Sequence, residues 1–501
     1  MPSRTNELEL KFTAAADFAA GPLALQAGIE NVLELPPHNL LATYYDTDDL
    51  RLARAGVTLR YRTGDANGSG GWTLKLPIKD TPALREEVQL SEPQGNVPDE
   101  ARRLVTVFAR GAELIKVAKL RTRRRRWSLR DPGGRELAEL VDDRVSVLDG
   151  RKVAQRFREL ELEAHSADRA ALKPIEEALN QMGFASSAQL PKAVQALGPR
   201  ANEPSDIPAP LPVSPRSPVA DAVTAAMATA AHRLMVHDPH TRMHDAEGIH
   251  QMRVSARRLR SYLRTFSSLV EPEWADGIIR ELRWLARALG VVRDLDVLVP
   301  RLREADVGEG IAPMLEVLEQ RQSAARRSLD KVLRSDRYLV LLELLIRAAN
   351  APSLTEASSE PCRLALPRLV AETWSPLVGA VKELDGAPTD DGYHEARIHA
   401  KRARYAAEAA APCLGKRGAD ATRFAQHAEE VQNVLGTRQD AVVLRQALLE
   451  EAARRNDDVL FNLAAGRLIG RQDELIAACD KEFKDVWRAM DRKKIRAWLN
   501  G

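Results

Sequence analysis

Two periodicities divide the chain. Up to about residue 198, apolar positions recur every second residue in short runs: 7–12 (ELELKF), 57–62 (VTLRYR), 71–76 (GWTLKL), 85–90 (REEVQL), 122–129 (TRRRRWSL), 137–143 (LAELVDD) and 159–163 (ELELE). Turn signals at 64–71 (GDANGSGG) and 131–134 (DPGG) separate some of them, and helical interludes are expected over 98–117 and 168–183. This half reads as antiparallel and mostly β. Residues 199–218 (PRANEPSDIPAPLPVSPRSP) hold seven prolines in 20 positions and no apolar period, which predicts an extended spacer. From 219 to 501, Ala/Leu/Arg/Glu segments of helical period predict an all-α half.

The helical half repeats itself. His250-Gln-Met-Arg253-Val-Ser-Ala-Arg257-Arg258-Leu-Arg260 returns 144 positions on (394 against 250) as His394-Glu-Ala-Arg397-Ile-His-Ala-Lys401-Arg402-Ala-Arg404. Leu289-Gly290 and Asp294 return 146 on (436 against 290) as Leu435-Gly436 and Asp440. Two copies of one helical unit account for both matches.

Alternation also sorts charge. Successive side chains of a strand point to opposite faces, so Glu7, Glu9 and Lys11 share one face and Leu8, Leu10 and Phe12 the other. The same rule groups Arg60 with Arg62, Arg85 with Glu87, and Glu159, Glu161 and Glu163 in an acidic row. If Trp127 and Leu129 face the apolar side, Arg124 and Arg126 face the charged one. One charged face is common on a sheet wetted on one side. Here nearly every strand carries one, with carboxylates and cations segregated. A closed barrel lined this way needs a polyanion for its cations and a metal for its carboxylates.

In the helical half, His250, Arg253, Arg257, Arg260 and Arg264 follow spacings of 3 and 4 and form one stripe, with no acidic residue from His250 to Arg264. His394, Arg397, Lys401 and Arg404 repeat it. Arg280, Arg283 and Arg287 add a third stripe in the first copy alone. Solvated helix faces usually mix signs, and rows of guanidinium forks suit a repeating phosphate anion. No carboxylate or cysteine at ligand spacing makes His250 or His394 a metal ligand.

Composition narrows the classes. The 501 residues are too many for one ordinary core. With 74 Lys+Arg against 71 Asp+Glu, net charge is only +3, so the distribution of charge carries the information. Three dispersed cysteines suit a reducing cytoplasm, and neither a secretion signal nor a run long enough to span a membrane is visible. Aromatics at 5% weigh against stacking on nucleic-acid bases.

ELELK resembles the ExExK signature of the CYTH, or triphosphate tunnel metalloenzyme, family. The likeness continues through YYDT (44–47), LRYR (59–62), TLK (73–75), REE (85–87), ELELE and Lys192, over roughly residues 1–198. It implies an eight-stranded antiparallel β tunnel. Glu7, Glu9, Glu159 and Glu161 are the implied Mg²⁺ or Mn²⁺ ligands, with Glu139, Asp143 and Glu163 as further candidates. Lys11, Arg60, Arg62, Lys75, Arg85, Arg124, Arg126 and Lys192 would hold phosphate oxygens, and Glu7, Glu9 and Lys11 form the catalytic core. Gln195-Ala196 stands where family members often carry Arg-Gly.

The two basic segments resemble the hallmarks of the CHAD family over roughly 219–495. The implied fold is two pseudo-symmetric four-helix units, and the implied partner is polyphosphate. His250, Arg253, Arg257, Arg260, Arg264, Arg283, Arg287, His394, Arg397, Lys401 and Arg404 would bind it. Asp294 and Asp440 would orient the basic helices, and Arg260 and Arg404 would partly serve internal ion pairs. The expectation is an α+β multidomain protein: a tunnel (1–198), a linker (199–218) and a helical domain (219–501). It would hydrolyse inorganic triphosphate in the cytoplasm, at polyphosphate granules. A non-catalytic polyphosphate-binding scaffold, and a class IV-type adenylyl cyclase or other organic triphosphatase, are the alternatives.

Overall fold

The computed structural model describes residues 3–13, 23, 29–64, 70–78, 84–165, 169–184, 190–207, 209–386 and 388–500. Contacts divide the chain into two units, Met1–Asp206 and Ile207–Gly501.

The first unit is a closed antiparallel barrel of β1 (Ser3–Thr13), β2 (Asn31–Asp46), β3 (Thr58–Thr63), β4 (Gly71–Pro77), β5 (Leu84–Leu90), β6 (Ile115–Arg130), β7 (Glu136–Asp149) and β8 (Lys152–Ala164). The strand order is β1-β5-β4-β3-β2-β6-β7-β8. Closure satisfies every strand edge and fixes an inside and an outside for each alternating pattern. The register places Lys11 opposite Glu161 and Glu9 opposite Glu163, and aligns Arg124, Asp143 and Glu159 across β6, β7 and β8. Lys11 and Arg124 thus meet carboxylates across the ladder, while Glu9 with Glu163 and Asp143 with Glu159 bring like charges together inside. The apolar set faces out: Leu10, Phe12, Trp127, Leu129, Leu140, Leu160 and Leu162 pack under Leu172, Ile175 and Leu179 of the helix Arg169–Gln181.

Two local expectations change, the missed β2 and the helical interlude over 98–117. β2 was not among the expected runs; its Pro36-Pro37 pair falls where the register with β6 shifts between Leu35 and His38, a bulge that spares the ladder the missing N–H groups. The interlude over 98–117 resolves into short helices, with residues from Ile115 already in β6, and that over 168–183 into a helix within it. Of the expected turn at 64–71, residues 65–69 lie outside the described residues.

The helices, in chain order, are α1 (Arg51–Arg54), α2 (Asp99–Leu104), α3 (Thr106–Ala109), α4 (Arg169–Gln181), α5 (Lys192–Leu197), α6 (Val219–Val236), α7 (Asp238–Arg242), α8 (Ala246–Thr265) and α9 (Pro272–Arg303). They continue as α10 (Ala312–Leu333), α11 (Asp336–Asn350), α12 (Cys362–Gly386), α13 (Asp390–Ala410), α14 (Gly418–Arg454), α15 (Val459–Met490) and α16 (Lys493–Arg496). In the second unit α6 packs on α8, α8 on α9 and α9 on α10; α12 packs on α13, α13 on α14 and α14 on α15. These are the two four-helix copies, and α8 meets α13 between them. Both basic helices start on a capping side chain, Asp245 accepting from Glu247 N at 2.8 Å and Thr389 from Gly392 N at 3.0 Å. Among the described residues no helix is long and apolar enough to cross a membrane.

The proline-rich stretch is held at both ends. Ala201 is buried with Leu50, Ala53 and Val194, and Arg54 donates to Pro204 O at 2.6 Å. Pro215 O and Ser217 O accept from Arg363 N and Cys362 N at 3.0 and 2.9 Å.

Candidate functional site

The barrel's inward faces converge on one cavity. β1 contributes Glu7, Glu9 and Lys11, β3 contributes Arg60 and Arg62, and β4, β5 and β6 contribute Lys75, Arg85 and Arg124. β8 adds Glu161 and Glu163, and Lys192 enters from the first turn of α5. Seven cations thus share the lining with four carboxylates.

Lys11 Nζ lies 2.9, 2.6 and 2.7 Å from carboxylate oxygens of Glu9, Glu159 and Glu161. Lys192 Nζ sits 2.5 Å from Glu161, 3.1 Å from Asp143 and 3.2 Å from Glu159. Arg124 forks onto Asp143 at 2.9 and 2.7 Å and reaches Glu161 at 3.3 Å. Lys75 bonds Glu7 and lies 3.1 Å from Glu87. Burial alone would lower the Lys11 ammonium, yet Glu161, Glu9 and Glu159 hold it well above its usual range. Burial works against Glu161 as well, and Lys11 and Lys192 hold it well below the carboxylate range. Burial, then the charge of Glu161, pushes the Glu9 carboxyl up to about 7 against the pull of Lys11. Glu9 and Glu161 are hydrogen-bonded to each other, so the two carboxyls titrate as a pair. Glu7, Glu9, Glu161 and Glu163 put hard carboxylate oxygens, the donor type that divalent cations such as Mg²⁺ and Mn²⁺ take, on one lining.

Alternation gives the face but not the depth. Glu159 points inward yet lies behind Lys11 and Lys192 rather than on the lining, and Asp143 is likewise engaged with Arg124 and Lys192. Arg126 is engaged away from the cavity, donating to Glu139 at 2.6 and 2.7 Å and touching His38 at 3.1 Å. Glu139 also approaches Glu136 and His165 closely enough to hold a metal, but it already carries Arg126. Tyr44 and Thr58 are on the lining and were not among the expected contacts. Tyr44 hydrogen-bonds Arg60 from the strand that the alternation missed.

In the helical unit a second cleft joins the halves of the repeat. His250, Arg253 and Arg257 of α8 face His394, Arg397 and Lys401 of α13. Asp294 and Asp440 line the same cleft, and Arg253 reaches Asp294 at 2.7 Å, an orienting contact. The paired glycines lie against the arginines: a Cβ on Gly436 would meet Arg397 Nη2 tightly at 3.3 Å, and one on Gly290 would make an ordinary contact with Arg253 Nη2 at 3.7 Å. The Nε atoms of Arg257 and Arg397 are buried with no acceptor. Burial, then Arg397, Arg257 and Arg253, pushes the Lys401 amine down to about 7. Arg293, Arg301 and Gln439 also line the cleft and were not anticipated. Arg260, Arg264, Arg283, Arg287 and Arg404 lie outside it. Arg404 is engaged by Glu408 and Glu429, as an internal role required, but among the described residues Arg260 has no such pair.

The model of the CYTH domain family matches residues 5–192, and that of the CHAD domain family matches 225–449. Two Mycobacterium tuberculosis proteins, Rv2226 of strain H37Rv and MT2285 of strain CDC 1551, are 31% identical over 98% of this chain and 97% of theirs. Among solved structures, PptA from Streptomyces chartreusis is 20% identical, with a TM-score of 0.46 over 54% of this chain and 100% of that one. The CHAD domain of the plant Ricinus communis is 23% identical, with a TM-score of 0.43 over 58% of this chain and 95% of that one. HpAC1 from Hippeastrum, described as having a dominant triphosphatase activity, is 19% identical, with a TM-score of 0.24 over 38% and 91%. The chain belongs to the family in which a CYTH domain is followed by a CHAD domain.

Proposed function

We propose that the CYTH barrel hydrolyses inorganic triphosphate with Mg²⁺ or Mn²⁺, and that the CHAD unit binds polyphosphate and places the protein at cytoplasmic polyphosphate granules. CYTH domains are triphosphatases or cyclases. One observation carries the choice of substrate: among the described residues of a closed barrel, seven cations converge on the cavity lining itself against four carboxylates, with Glu87, Asp143 and Glu159 set behind them, a surface that suits a compact polyanion accompanied by a metal. Among the described residues the one aromatic on that lining, Tyr44, is tied to Arg60, which weighs against a platform for a nucleobase.

In this reading water attacks the terminal phosphorus, one P–O anhydride bond breaks, and diphosphate and phosphate leave. Lys11, Lys75 and the arginines of β3, β5 and β6 hold the chain in line and offset the charge gathering on its oxygens, which is most of what phosphoryl transfer demands. Glu9 can hold a proton near neutral pH. A divalent cation held by Glu7, Glu9 and Glu161, with Glu159 and Glu163 as additional carboxylates, would neutralise charge and acidify the attacking water.

The test is phosphate release from tripolyphosphate by the full chain, with Mg²⁺, with Mn²⁺ and with chelator. Binding without turnover under every metal condition, or cyclic AMP formed from ATP in preference, overturns the reading. The two neighbouring arginines should separate. Arg124→Ser is expected to lower kcat/KM by about 10²-fold, the usual cost of removing one charge-stabilising donor, whereas Arg126→Ser stays within a few-fold because Arg126 lies off the lining, on Glu139, while Arg124 is on it.

A further inference from the structure

The two copies of the CHAD repeat agree in the central cleft and disagree in charge beyond it. At the offset of the basic helices (394 against 250), Arg264 has Glu408 as its counterpart; at that of the next pair (436 against 290), Arg283 has Glu429. The pseudo-twofold contact between α8 and α13 therefore exists in two electrostatic versions. On one side Arg258 meets Glu408 at 2.9 Å. On the other its counterpart Arg402 meets Arg264, and can only donate to the Arg264 backbone oxygen at 3.5 Å.

The neighbours follow suit. Arg404 is neutralised by Glu408 at 2.6 Å and Glu429 at 2.7 Å. Its counterpart Arg260 has Arg264, Arg283, Arg257 and Arg287 around it, and its Nε is buried without an acceptor, as is that of Arg402. Among the described residues Arg260, Arg264, Arg283 and Arg287 form no ion pair. Clustered like charges of this kind cost folding energy unless an anion supplies the acceptors.

We propose that the CHAD unit holds an extended phosphate chain one-sidedly: the chain leaves the central cleft over the first copy, along Arg260, Arg264, Arg283, Arg287 and Arg402, and is shut out of the second by Glu408 and Glu429. This rests on the reading that the central cleft binds polyphosphate. Short chains then fill the cleft alone, and longer ones gain contacts in one direction only.

The experiment measures binding of size-fractionated inorganic polyphosphate, one short and one long fraction, to the full-length protein over a range of salt. Three proteins are compared: wild type, Arg283→Ser/Arg287→Ser, and the mirror-side Glu429→Gln. Each cation that neutralises a phosphate contributes about 0.7 to the slope of log affinity against log salt on a single strand. Wild type should bind the long fraction more tightly and with the steeper slope. The double arginine variant should lose roughly 1.4 of that slope, together with most of the preference for long chains. Glu429→Gln, which removes one of the two carboxylates on Arg404, should strengthen long-chain binding. Arg283 and Arg287 are exposed on a helix, so unchanged melting confirms that folding is not the cause. An unchanged long-chain slope in the double variant, or long-chain binding by Glu429→Gln no tighter than that of wild type, overturns one-sidedness while leaving the cleft in place. Wild type that binds neither fraction overturns the underlying reading as well.

Discussion

Glu161→Gln is expected to cut phosphate release from tripolyphosphate by on the order of 10²–10³-fold and to lower the stability of the CYTH unit at the same time. Glu161 is the common partner of Lys11, Lys192 and Arg124, at 2.7, 2.5 and 3.3 Å, and its side chain is 2% exposed. The amide keeps the shape and removes the charge that holds three cations together. Breaking a buried ion pair from one side costs about 3–5 kcal/mol, because the other charges remain buried and uncompensated. The same excess charge should make the variant a better receptor for a bare anion. In chelator, tripolyphosphate should therefore raise the melting temperature of Glu161→Gln by more than it raises that of the wild type. A variant that melts normally and turns over within a few-fold of wild type would remove Glu161 from both roles.

The same network shows what the sequence could and could not reveal. Strict alternation in 7–12 placed Glu7, Glu9 and Lys11 on one face, and barrel closure made that face the inside. Period-2 logic is blind to distance along the tunnel. It grouped Arg126 with Arg124 and Glu159 with Glu161, although Arg126, opposite Val141 in the register, bonds the diagonal Glu139, and Glu159 sits behind two lysines. β2 escaped because Pro36-Pro37 reads as a loop in any local scheme. Only pairing with β6 makes a bulge there tolerable. In the helical half, spacing by 3 and 4 found both stripes, since a helix carries its own register. It gave Arg260 and Arg404 the same role, whereas carboxylates on α13 and α14 engage the second and leave the first among arginines. Residues supplied by another helix, such as Arg293 and Arg301 from α9, carried no such signal.

Binding of polyphosphate to the CHAD cleft is expected to take up a proton above neutral pH, and Lys401 is the group that takes it. Arg397 on its own helix and Arg257 and Arg253 on α8 face it, with Asp440 from α14 as the opposing charge. Together with burial these bring the free amine down to about 7. A bound phosphate chain offsets the arginines and favours the ammonium, so its pKa rises in the complex. The sign follows: below about pH 7 the amine is already charged and affinity is level. Above it affinity falls, approaching tenfold per pH unit until the pKa of the complex is reached. Folding carries the complementary signature. A lysine depressed in the folded state binds fewer protons there than in the unfolded chain, so its cost to stability grows as pH falls from the ordinary lysine range towards 7 and is constant below. Calorimetry at about pH 8 in buffers of different ionisation enthalpy reads the uptake directly, as a heat that varies with the buffer. Lys401→Arg keeps the charge at every accessible pH and should abolish the variation. Heats independent of buffer in the wild type, or an unaltered pH slope in Lys401→Arg, would mean that the lysine is not paired with the anion at all.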